Sequence, residues 1–113
     1  MLNSCTFTGR FAADPNYYEG EKGARVTFTL AVDRDRKNAD GQYDTDFLDF
    51  VAWGGTASFI SRYFHKGDLA TVSNARAQVR SYTSSDGAYH RRVEFSVDTI
   101  YFGQRKKSEN FSG

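Results

Sequence analysis

Apolar residues along this chain recur at every second position much more often than at helical spacing. Cys5, Phe7, Gly9 and Phe11 share one parity, and Thr6, Thr8 and Arg10 take the other. A period of two marks a strand buried on one face. Asp14-Pro15 ends that strand, because proline cannot donate to a ladder. Gly20 and Gly23 mark a turn. A second strand runs from Ala24 to Asp33, where Val26, Phe28, Leu30 and Val32 alternate with Arg25, Thr27 and Thr29. Residues 34–45 are polar and charged, contain Asp40-Gly41, and read as an extended, mobile hairpin connection. The third strand, Asp46 to Trp53, differs from the first two. Leu48, Phe50 and Ala52 form one apolar face, while Phe47, Val51 and Trp53 lie on the other with Asp49. Such a strand is either buried on both sides or meets a ligand on one.

Gly54-Gly55 breaks this strand, and Thr56 can cap a short helix with its hydroxyl. Ala57, Ile60 and Phe64 follow at helical spacing. His65-Lys66-Gly67 closes the helix, with cations near its end and Gly67 suited to positive φ. Two long strands follow, at about 69–82 and 89–103, with Ser85-Asp86-Gly87 at the tip between them. The order is three strands, a helix, then two strands, with no internal repeat. It predicts an all-β domain over residues 1–103: a five-stranded Greek-key barrel of the oligonucleotide-binding type, with one short helix between strands 3 and 4. Residues 104–113 form a short polar tail, expected to fray.

Composition narrows the chemistry. The chain has 113 residues, enough for one domain. Its ten Phe and seven Tyr can fill the core of a small barrel and leave rings over. One cysteine allows neither an intrachain disulfide nor a cysteine-based metal site, and Cys5 reads as a small core residue. His65 and His90 lack metal-ligand spacing, so no cofactor or metal is expected. No export signal and no apolar run of membrane length is present, which points to the cytoplasm. The net charge is only +1, but Arg34, Arg36 and Lys37 cluster, as do Arg76, Arg80, Arg91 and Arg92. The placement of charge matters more than its sum.

Phe47 and Trp53 are six residues apart and so project from the same sheet face. Exposed, they call for a cover, and nucleobases provide one: every base has a π-face, so stacking grips a strand without reading its sequence. Tyr82 and Tyr89, on the two arms of the last hairpin, are candidates to extend the platform. Arg34, Arg36, Arg80, Arg91 and Arg92 lie in or beside the long loops, where they can track phosphates. Periodicity alone equally allows Phe47 and Trp53 to face a core or a subunit interface. The aspartates at 33, 35, 40, 44, 46 and 49 lack a glutamate or histidine to complete a nuclease site and read as solvated charge. No Walker A loop, nucleophile elbow or paired-histidine motif is present, so no enzyme activity is expected.

Met1-Leu2-Asn3, Gly9-Arg10 followed by Asp14-Pro15, Thr27 to Val32, Asp46-Phe47, Val51 to Gly54, Tyr63 to Gly67, and Arg80-Ser81-Tyr82 with Asp86-Gly87 occur in this order. As a set they resemble bacterial single-stranded DNA-binding proteins, from Met1 to about Phe102. The resemblance implies an oligonucleotide-binding barrel, usually a homotetramer. It implies sequence-tolerant binding and protection of single-stranded DNA in replication, recombination and repair. Its stacking aromatics correspond to Phe47, Trp53 and Tyr82. A further stacking position falls near Arg36, where a guanidinium replaces a ring. Lys66 and Arg80 match basic positions, and Arg10, Arg34 and Arg91 complete the expected basic set. The segment from Gly67 to Tyr82 is one residue longer than the family pattern, with a usual glycine replaced around Asn74-Ala75, which suggests a bulge. Many members end in an acidic tip that recruits proteins. No such tip stands in the sequence up to Gly113, so recruitment through a tail is not assumed. A primosome-type barrel adaptor shares the fold but relies less on the aromatic platform. A barrel nuclease and a purely structural oligomer are the other readings.

Overall fold

The structure, a computed structural model, describes residues 1–104. Apart from Gln104, the polar tail read from the sequence lies outside the described residues. Seven strands and one helix follow in order: β1 (Cys5–Phe11), β2 (Asn16–Gly20), β3 (Gly23–Lys37), β4 (Tyr43–Trp53), α1 (Gly54–Tyr63), β5 (Leu69–Thr83), β6 (Tyr89–Ser96) and β7 (Thr99–Gln104). β1 pairs with β3, β3 with β4, β4 with β6, β6 with β5, and β5 again with β1. The sheet therefore closes on itself. All these contacts are antiparallel except that of β4 with β6, where Phe50 lies opposite Phe95 and Val51 opposite Ser96. This is the oligonucleotide-binding barrel.

Two differences from the five expected strands have local causes. Asp14-Pro15 interrupts β1 only briefly, and the chain then continues along the same edge of β3 as β2. Gly20 pairs with Gly23 across the two-residue turn Glu21-Lys22. The fifth expected strand divides into β6 and β7 at Val97-Asp98, where the Val97 N–H turns to the Val51 carbonyl.

Alternation fills the barrel as its period requires. Val26, Phe28 and Leu30 of β3 meet Phe50 and Ala52 of β4 in the core, with Phe11, Val72 and Ala75. Phenylalanines stack through the centre: Phe11 lies 4.9 Å from Phe28 and 5.1 Å from Phe64, and Phe28 lies 5.2 Å from Phe50. α1 closes one end with Ala57 and Ile60, both buried. Cys5, expected as a small core residue, is half-buried and lies outside the core cluster.

The helix starts earlier than its hydroxyl suggests. Trp53 is the N-cap, with no side-chain cap bond. Gly54 takes φ +61 at the first helical position, a conformation that glycine enters without a Cβ penalty. Thr56 thus lies inside the helix, and its hydroxyl donates to the Asp98 carbonyl at 3.4 Å. Gly67 does take the positive φ expected of it, +91.

The bulge expected near Asn74 is present. β1 pairs Cys5 with Ala75 but Phe7 with Val72, and Asn74 holds φ +59. Inward parity therefore switches from Ala70 and Val72 to Ala75 and Ala77. The connection between β3 and β4 is a built hairpin. Asn38 Oδ1 accepts from the Asp40 and Gln42 amides, and the Asn38 N–H donates to the Gln42 carbonyl at 2.7 Å.

Candidate nucleic-acid interface

The outer face of the β3–β4 sheet is organised in cross-strand rows. On β4, Phe47 is 65% exposed and Trp53 54%, whereas Val51 between them is 2% exposed. The inner neighbours Phe50 and Ala52 are core. Both aromatic rings therefore point to solvent from a strand whose other face is fully occupied. Phe47 lies opposite Ala31, and Ala31 lies opposite Arg10 of β1. Trp53 lies opposite Arg25, and Arg25 lies opposite Tyr18 of β2. Each row thus sets an aromatic ring and a guanidinium on one surface.

Arg10 and Lys66 come together because the turn after α1 is clamped onto β1. Gly67 N–H donates to the Phe11 carbonyl at 2.8 Å, Arg10 Nη1 to the Gly67 carbonyl at 3.0 Å, and Lys66 N–H to Asp14 Oδ1 at 2.8 Å. This clamp joins Arg10 to a turn 57 residues further along the chain, so that Arg10 of the Phe47 row and Lys66 of the turn lie on neighbouring segments.

The β5–β6 ribbon supplies the third element. Tyr82 pairs with His90 and stacks on it, with centroids 5.0 Å apart at 20°. Arg80 pairs with Arg92 on the same ribbon face. A cleft of about 300 Å³ separates this ribbon from the β3–β4 face and is lined by Thr27, Thr29, Asp49, Arg80, Arg92 and Glu94, among others. Carboxylates occupy it as well as cations. Arg92 Nη2 lies 3.2 Å from Asp49 Oδ2, and Arg80 Nη1 lies 3.3 Å from Glu94 Oε1. Thr29 Oγ1 also donates to Asp49 Oδ1 at 2.9 Å.

The remaining expected residues fall at the edges. Arg34 is held bidentately by Asp46, at 3.1 and 3.0 Å. Those bonds hold the Asp46 carboxyl below the ordinary carboxylate value and raise the guanidinium of Arg34. Arg36 is exposed on the β3 extension and has no ion pair among the described residues. Arg91 lies opposite Ser81, and Tyr89 opposite Thr83, on the ribbon face away from Tyr82. At the ribbon tip, Asp86 accepts from the Ser84 hydroxyl and the Ala88 amide, which lowers its pKa.

The aspartates read as solvated charge are mostly engaged. Besides Asp46 and Asp49, Asp33 accepts from Thr45 at 2.6 Å and Asp44 from Asn38 at 3.0 Å. Sequence reasoning also missed Tyr18 and Arg25. The signal was present: both are equidistant from the Glu21-Lys22 turn, so a two-residue hairpin between Gly20 and Gly23 makes them cross-strand partners.

The sequence model of the single-strand binding protein family matches residues 2–103. Curated relatives include single-stranded DNA-binding protein 1 of Staphylococcus aureus (strain COL). It is 35% identical over 114 residues, covering 100% of this chain and 68% of the relative. Single-stranded DNA-binding protein 3 of Listeria innocua serovar 6a is 34% identical over 109 residues, covering 96% of this chain and 68% of the relative. The matched span includes the closed barrel, both aromatic rows and the ribbon, and this chain belongs to the single-strand binding protein family.

Proposed function

We propose that this chain holds single-stranded DNA by stacking bases on Phe47, Trp53 and Tyr82. Phosphates meet Arg10, Arg36 and Lys66, with Arg91 at the flank, while Arg34 and Arg80 face the strand paired with Asp46 and Glu94. Family membership supports the ligand. The observation that carries the mode of binding is the pair of large rings exposed on the outer face of β4. Six residues of strand set them roughly 20 Å apart. Stacked bases remove those rings from water at ~1–3 kcal/mol each and need no particular base edge. Arg10 spends one donor on Gly67 and keeps others for phosphate. The proposed action covers and protects exposed strands during replication, recombination and repair in the cytoplasm, and it makes and breaks no covalent bond.

Trp53 is the only tryptophan, so its fluorescence reports on one position of the platform. Titration with oligo-dT is expected to quench it strongly. Phe47→Ala should weaken binding by one stacked base, ~1–3 kcal/mol or roughly 5- to 150-fold. An unresponsive Trp53 with no retention of oligo-dT on a filter would sink this reading. The assembly is a homotetramer, in keeping with the family. Sedimentation equilibrium should return four chains, and a monomer at micromolar concentration would remove the claim.

A further inference from the structure

The row beyond Trp53 has features that the proposed platform does not use. Arg25 is half-buried between two rings, its Cζ 5.8 Å from the Trp53 centroid and 5.9 Å from that of Tyr18. Tyr18 is 62% exposed on β2. A cleft of about 490 Å³ opens over this row, with Lys22 and Glu21 at the hairpin turn on its rim. That volume lies in the range of small-ligand sites.

Arg25 combines two ring contacts with the absence of a carboxylate partner among the described residues. Arg34, Arg76, Arg80 and Arg92 each lie 3.0–3.3 Å from a carboxylate oxygen. Arg25 has no such partner among the described residues, and Glu21 makes no ion pair with it. A guanidinium flanked by rings keeps its edge donors free, and those donors match a phosphate. Ring faces on either side match bases. A DNA strand leaving Trp53 across the sheet meets Arg25 and then Tyr18.

We propose that Tyr18, Arg25 and Trp53 form a further nucleotide subsite on the β2–β3 hairpin. The phosphate after the Trp53-stacked base binds Arg25, with Lys22 beside it, and the next base stacks on Tyr18. This inference rests on the single-strand reading above. The hairpin is thereby part of the strand's path, which does not end at the platform strand.

The test uses the full chain and oligo-dT carrying 5-iododeoxyuridine, irradiated in the complex, with cross-linked residues identified by mass spectrometry. Cross-links at Tyr18 as well as Trp53 are expected. Tyr18→Ala should cost about tenfold in affinity, within the range of one stacked base, and Tyr18→Phe should retain it. Arg25→Ala should make the log–log salt slope shallower by roughly 0.7. Absence of cross-links at Tyr18 overturns the subsite whatever the variants do, since wild-type protein needs no refolding control. If Phe47→Ala still weakens binding in that case, the platform stands and only the subsite falls. If neither Phe47→Ala nor Tyr18→Ala changes binding, the platform itself is wrong.

Discussion

Between Phe47 and Trp53 the outward positions of β4 are Asp49 and Val51, and Asp49 places a negative charge on the face proposed to hold a polyanion. Its carboxylate takes Arg92 and Thr29, so one cation of the cleft is already neutralised. An incoming phosphate must compete with Asp49 for Arg92. Asp49→Asn keeps the Thr29 acceptor, removes the competitor and frees Arg92. Oligo-dT titration should then show about fivefold tighter binding, ~1 kcal/mol, and a steeper salt slope. The stability cost should stay small, because both members of the pair are substantially exposed and such pairs contribute about 0–1 kcal/mol. Unchanged or weaker binding would show that Asp49 does not compete with DNA. The sequence placed Asp49 on the face of Phe47 and Trp53 but read it as solvated charge. Its partner Arg92 lies 43 residues away, a proximity that exists only once β6 returns alongside β4.

At the level of the element, β5 shows how far local pattern reaches. The extra residue near Asn74 was legible as a bulge, because alternation cannot absorb one residue without reversing its faces. Asn74 is in the left-handed region that asparagine tolerates better than most residues, and its Oδ1 accepts from the Ser4 hydroxyl at 3.1 Å. Asn74→Ala should cost ~1 kcal/mol through backbone strain and the lost bond, lowering Tm by about 4–8 °C. Asn74→Gly should be close to neutral. Equal melting of all three proteins would show that the bulge is not strained there. By contrast, β2 was hidden because proline ended the visible alternation, and the break at Val97-Asp98 was hidden because both flanks stay apolar and alternating. The early start of α1 was also missed. It depends on the positive φ of Gly54, and a glycine pair reads equally as breaker or beginning.

For the molecule as a whole, the helix position and strand order were enough to infer the closed barrel, whereas the parity of Phe47 and Trp53 put both rings on one face without saying that this face is the exposed one. Which arginines remain available was not legible, because ion pairing is settled by tertiary neighbours. If all six expected basic residues met phosphates, the salt slope per chain would be roughly −4. Arg34 and Arg80 are already paired with Asp46 and Glu94. Arg10, Arg36, Lys66 and Arg91 alone should therefore give roughly −3, before any contribution from Arg25 and Lys22, with the remainder of the affinity insensitive to salt. In the same oligo-dT titration Arg34→Ala and Arg80→Ala should leave the slope unchanged, and a slope shallower by roughly 0.7 in either variant would mean that its carboxylate yields to DNA. The closure of the barrel has a mechanical consequence as well. β4 is hydrogen-bonded to β3 along one edge and to β6 on the other, so tension along a bound strand loads it in shear between two neighbours. Phe47 and Trp53 then act as fixed pegs at constant separation. Tyr82 stands on a two-stranded arm that can flex, and under a steady pull the strand should peel from that arm first, while the pegs hold.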